Sequence, residues 1–123
     1  MAFGDVGGAV TELVITCKAL IDRCDIHKGD ALEHVGSYAV SNEVNGLFGQ
    51  AMGSCSDDGE AIPVKVRGIC IFEYVVSELS AARDPIENGG VQIDLKNPGK
   101  VTRGRYGRVL KVDEEAKKVH VLL

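Results

Sequence analysis

Hydrophobic and polar positions along this chain alternate with a period of two far more often than they recur at helical spacing. The alternation predicts strands over residues 12–19 (ELVITCKA), 31–35, 38–41 and 47–52, through the stretch 59–74, and again over 91–95, 108–112 and 118–122. Polar and glycine clusters separate them: DIHKGD at 25–30, SCSDDG at 54–59, NGG at 88–90 and NPG at 97–99 read as turns, and 113–117 closes a terminal hairpin. The one helical candidate is 75–83 (VVSELSAAR), short and stopped by Pro85, and it reads equally as strand and loop. About eight short strands at this spacing predict a mainly β fold, a compact antiparallel β-barrel or sandwich, in which closure removes exposed strand edges. Residues 1–10 are small and glycine-rich and read as a flexible N-terminal arm ahead of a single β-barrel domain over 11–123.

The stretch 59–74 (GEAIPVKVRGICIFEY) breaks the pattern in the middle. Before Gly68, Val64 and Val66 alternate with Lys65 and Arg67, which predicts a core face and a wet face. After it, Ile69, Cys70, Ile71 and Phe72 run together and are apolar on both faces. Gly68 is therefore expected to act as a pivot, by bulge or bend, and Pro63 to lie at a strand start or sheet edge because it has no N–H for a ladder. One face of the second half fills the core. The other needs a cover, for which a second subunit is preferred, and Ile69, Ile71 and Phe72 are the expected subunit-packing residues.

With 123 residues, 45% of them hydrophobic, the chain can bury a core without staples. No apolar run approaches the ~18 residues of a membrane-spanning helix, and the opening MAFGDVGGAV lacks the basic region of a signal peptide, so no membrane partner is expected. Cys17, Cys24, Cys55 and Cys70 show no CxxC spacing, and Cys17 and Cys70 sit in apolar runs, which predicts reduced thiols in a protein made in a cytoplasm. The net charge of −4 is unevenly spread: three basic against nine acidic residues up to residue 58, eleven against nine afterwards. Poles of opposite sign suit self-association or docking on a complementary surface.

Catalytic and ligand-binding signatures are weak. His27, His34 and His120 form no HxH or HExxH pair, so no metal site is expected, and Asp30 and His34 lie too far apart along a strand to act together. Ser37, Ser41, Ser54 and Ser56 lack a nucleophile elbow, the 57–60 turn lacks the further oxygen ligands of a calcium loop, and GDVGG at 4–8 lacks the lysine and helix of a phosphate cradle. The reading is a protein without enzymatic activity, cofactor or small-molecule substrate. The segment 96–111 (KNPGKVTRGRYGRVLK) is the nearest to a nucleic-acid footprint: Arg103, Arg105 and Arg108 surround Tyr106. A pI near 5.3 and the lack of a second aromatic in the segment weigh against it, and docking of these guanidinium groups on acidic side chains is favoured.

In order and spacing, KGDALEHVGSYAV (28–40), LFGQAM (47–52), the 59–74 stretch and GRVLKVDEEAKKVHVLL (107–123) resemble a family of head proteins of tailed bacteriophages, the capsid decoration or cement proteins. The resemblance spans residues 28–123 and implies a β-rich structural protein, often trimeric, on the outside of an assembled capsid. It would be made in the host cytoplasm and carried on the virion exterior, bridging subunits of the major capsid protein. On that expectation Met1, Ala2, Phe3 and Asp5 of the arm, with Arg103, Arg105, Tyr106 and Arg108, are candidate capsid or subunit contacts. The alternative is a small nucleic-acid-binding β-barrel that uses the basic segment from Arg103 to Arg108.

Overall fold

The computed structural model describes residues 11–76 and 83–123, and within them the chain is all β. Ten strands follow one another: β1 Leu13–Ala19, β2 Ala31–Gly36, β3 Ala39–Ser41, β4 Gly49–Ala51, β5 Ala61–Arg67, β6 Ile69–Glu73, β7 Gly90–Ile93, β8 Val101–Gly104, β9 Arg108–Asp113 and β10 Lys118–Leu122. The mainly β expectation holds, with two refinements. The strands form three sheets: a closed five-stranded barrel in the order β1-β3-β2-β4-β5, a three-stranded sheet β6-β10-β9 and a two-stranded sheet β7-β8. The barrel is also not wholly antiparallel, because β1 and β3 run parallel through Lys18↔Ala39 and Ala19↔Val40.

Two apolar clusters result. Cys17, Ala19, Ile26, Leu32, Val40, Ala51, Cys55, Ile62 and Val64 fill the barrel. Cys70, Phe72 and Tyr74 of the β6 segment pack with Val91, Ile93, Val101, Val109, Val119 and Val121 between the other sheets, and Ala31 and Leu47 reach into this second cluster from the barrel side. The buried valines alternate along their strands with exposed or half-buried residues, as the period-two pattern requires.

Three local expectations are resolved. Gly68 is the expected pivot, as a bend and not a bulge: β5 ends at Arg67 and β6 starts at Ile69, so the chain turns a corner from barrel to sheet, with Gly68 at φ 115°, where an L side chain is strained. Pro63 is not at an edge. β5 pairs with β1 on one side and β4 on the other, and Pro63 is tolerated because its carbonyl accepts from Met52 just past the end of β4. The donor it lacks points to that same side, one residue beyond the end of β4, where the Met52 bond is the last of the ladder. The helical candidate 75–83 shows no helix at Val75, Val76 or Arg83, and its other positions lie outside the described residues. β8 was hidden from the pattern by its arginine and glycine positions; it pairs with β7 from Gly90↔Gly104 to Ile93↔Val101.

Candidate functional site

The expected wet face of the 59–74 stretch is wet only at Arg67. Lys65 is buried, 8% exposed, with its ammonium 2.9 Å from the Ile69 carbonyl and 3.0 Å from Glu12 Oε1. Its cross-strand neighbour Gln50, equally buried, donates to the Ile71 carbonyl at 2.8 Å and to the Gly29 carbonyl at 3.2 Å. Ile69 and Ile71 are two residues apart on β6, so their carbonyls point out of the same edge of the β6-β10-β9 sheet. Two barrel side chains in register thus cap the open edge of β6 and clamp the sheet to the barrel.

This clamp sets which face of the three-stranded sheet stays open. The inner face is spent on the second cluster; Phe72 is 0% exposed there and is removed from the expected subunit-packing set. The outer face is built in rows by the strand registers: Ile69, Leu122 and Arg108; then Ile71, His120 and Lys111; then Glu73, Lys118 and Asp113. A bulge in the β9–β10 ladder adds Leu110 beside Lys111 as a second consecutive outward residue before Val112 packs inward again. Ile71 (48%), Leu110 (44%) and Leu122 (39%) are exposed, and Ile69 is half-buried. The face therefore has an aliphatic centre around His120 and a charged rim. In that rim Glu73 is bridged by Lys118 at 3.2 Å and Lys100 at 3.4 Å, and the hydrogen bond from Lys118 leads the effects that hold its carboxyl below the ordinary glutamate range.

The basic candidates separate. Arg103 is half-buried and committed: its Nε donates to the Asp84 carbonyl at 2.9 Å. Arg105 and Tyr106 lie on the connection from β8 to β9, where Tyr106 is held by reciprocal backbone bonds with Val91, and Arg108 opens β9 beside Leu122. Arg105, Tyr106 and Arg108 are exposed. The structure thus brings Arg108 into the outer face and leaves Arg105 and Tyr106 on the adjoining connection. Met1, Ala2, Phe3 and Asp5 lie outside the described residues. Leu110, Leu122 and Lys111 were not singled out from sequence, although in the 118–122 alternation Leu122 falls on the opposite strand face from Val119 and Val121.

The remaining chemistry is structural. Asp30, rather than meeting His34, accepts from the His27 backbone N–H at 2.9 Å and from Asn42 Nδ2 at 3.1 Å, and His34 stacks obliquely on Phe48. Glu43 accepts from the backbone N–H groups of Arg23 (3.0 Å) and Asp22 (3.3 Å) and from Arg23 Nε (3.1 Å); these bonds, the Arg23 N–H first, depress its pKa against burial. All four cysteines are free, and burial pushes the Cys70 thiol up to about 11. Among the described residues no three His, Cys, Asp or Glu side chains are placed to hold a metal ion, and no helix is long and apolar enough to cross a membrane. A cleft of about 440 Å³ between the 27–30 turn, β6, β10 and the 98–100 turn is lined by Lys28, Lys100, Lys118, Asp30 and Glu73, of which Glu73 bridges Lys100 and Lys118. No protein-family model, curated protein or solved structure matches the chain.

Proposed function

We propose that this chain is a structural virion protein of the phage capsid decoration, or cement, class, which binds the outer surface of an assembled capsid and stabilises it, as a trimer, without catalysis or cofactor. The observation that carries the reading is the uncovered outer face of the β6-β10-β9 sheet. An exposed aliphatic centre ringed by charge is the composition of a protein contact. Lys118 is paired with Glu73, but the Arg108 and Lys111 side of the rim is basic, whereas the part of the chain up to residue 58 carries nine acidic residues against three basic. A basic patch meeting an acidic patch on the next copy is a head-to-tail contact, which closes into a ring when the rotation permits. Arg105 and Tyr106 beside this face are then free to engage acidic side chains of the major capsid protein, and repetition over the copies gives avidity from weak contacts.

The test is the mass of the purified protein by light scattering, with capsid sedimentation as the second readout. The wild-type chain should run as a trimer and co-sediment with capsids, and Ile71→Asp and Leu110→Asp should give folded monomers that bind capsids poorly. A wild-type monomer at every concentration would refute the assembly reading. The exposed Arg105, Tyr106 and Arg108 keep a nucleic-acid-binding reading in play. That reading requires salt-dependent binding to DNA or RNA that Arg105→Ala and Arg108→Ala abolish.

A further inference from the structure

The barrel is closed, but β1 and β3 meet over only two residues, which leaves a gap beside the first half of β1. β1 is paired with β5 over its length, from Leu13↔Arg67 to Lys18↔Ala61, but it meets β3 only at Lys18 and Ala19. Lys18 and Leu20 send their N–H groups to that side, to the carbonyls of Tyr38 and Val40 at 2.8 Å each. Every second residue of a strand presents its backbone groups to the same neighbour, so Val14 and Thr16 point theirs into the gap, where β1 has no partner strand among the described residues. Beside this free edge lies an apolar slot of about 300 Å³, lined by Ile15, Cys17, His34, Ser37, Tyr38 and Phe48, which is room for an aromatic ring. Its lip is the two-residue turn between β2 and β3, where Ser37 and Tyr38 sit at φ 47° and 62° as a tight hairpin turn requires, and Tyr38 is left 71% exposed. Leu13, Val14 and Val35 around it are exposed as well.

We propose that this edge and slot receive residues 1–10 of a neighbouring copy as an added strand, with Phe3 entering the slot. An extended segment laid along β1 would satisfy Val14 and Thr16 and place alternate side chains into the slot, which is recognition by strand addition. The segment MAFGDVGGAV holds one aromatic residue, Phe3, with Val6, Ala9 and Val10 as further apolar positions. The chain's own segment is poorly placed to serve. A two-residue reversal at Gly7-Gly8 would set Phe3 opposite Glu12, short of Ile15 and Cys17. A neighbour's segment carries no such fixed register. The contact is separate from the outer sheet face and does not depend on it.

The test is amide hydrogen exchange on the full chain at high and low protein concentration. The Val14 and Thr16 amides should be protected at high concentration and exchange freely on dilution. The Ile15 and Cys17 amides, which bond β5, should stay protected throughout and so report an intact fold. Phe3→Glu should abolish the concentration-dependent protection, and Thr16→Pro, which removes a gap-facing donor and no bond to β5, should do the same. Val14 and Thr16 amides that exchange freely at all concentrations would overturn the proposal. So would protection that is independent of concentration, since the edge would then be covered within one molecule. The readout is local to β1, whereas Ile71→Asp reports on the outer sheet face, so the two readings fail separately.

Discussion

Replacing Lys65 by Met tests whether the barrel and the three-stranded sheet are clamped by buried polar side chains. Two opposing terms decide the outcome. The ammonium bonds the Ile69 carbonyl at 2.9 Å, and a hydrogen bond with one charged partner contributes about 1.5–3 kcal/mol. Its second bond, to Glu12 at 3.0 Å, is worth less, about 0.5–1 kcal/mol, because the Glu12 side chain is half exposed and water replaces the contact. Against these stands relief from burying an ammonium, which in well-paired buried ions can cancel the gain. Here the Lys65 side chain keeps 10% exposure, and its removal strips a capping donor from a sheet edge. The bonds should therefore win, with a net loss of about 2 kcal/mol for Lys65→Met, measured as a lower urea midpoint at unchanged slope. Gln50→Met, which removes the neighbouring cap on Ile71, should cost about 1–2 kcal/mol by the same assay. The two losses together should exceed their sum, since each cap holds the same edge. If Lys65→Met is as stable as the wild type or more so, desolvation dominates and Lys65 is not a clamp.

Gly68→Val should destabilise by roughly 1–3 kcal/mol, because φ 115° is a conformation that valine strains to adopt and its Cβ would lie 3.0 Å from Glu12 Cγ; an unchanged thermal melt would contradict the corner geometry. Stability should fall in acid as Glu43 and Glu73 protonate. Their folded pKa values lie below the ordinary 4.5, so their contribution is fully present above that pH and is lost as pH drops through the depressed values. Urea midpoints at pH 7 and pH 3.5 should differ, and Glu43→Gln should narrow the difference. Thiol labelling of the native protein at pH 8 should modify Cys24 first, as it alone is half-exposed, while Cys70 reacts only on unfolding; fast labelling of two or more thiols would place the cysteines wrongly.

The strand pattern was legible because alternation is a local property: Val119 and Val121 point inward and Leu122 outward for the same reason that residues two apart share a face. The break at Gly68 was legible too, since a glycine between two unlike apolar patterns marks a change of direction. Lys65 misled because alternation assigns a face and not a depth. It does lie on the opposite side of β5 from Val64, but that side meets the β6 edge instead of water. Phe72 misled for the mirror reason, since its inward face turned out to have a full partner set from β9, β10, β7 and β8 within the same chain.

From sequence alone followed the mainly β class, the positions of most strands and turns, and an apolar stretch after Gly68 too rich for one face. These depend on residue type and on neighbours a few positions away. Which sheet each strand joined, the parallel pairing of β1 with β3, the capping of β6 by Gln50 and Lys65, and the choice of Ile69, Ile71, Leu110 and Leu122 as the face left open were decided by the tertiary structure. They depend on pairings between residues far apart in the chain, and alternation carries no information about which distant strand will supply the partner edge.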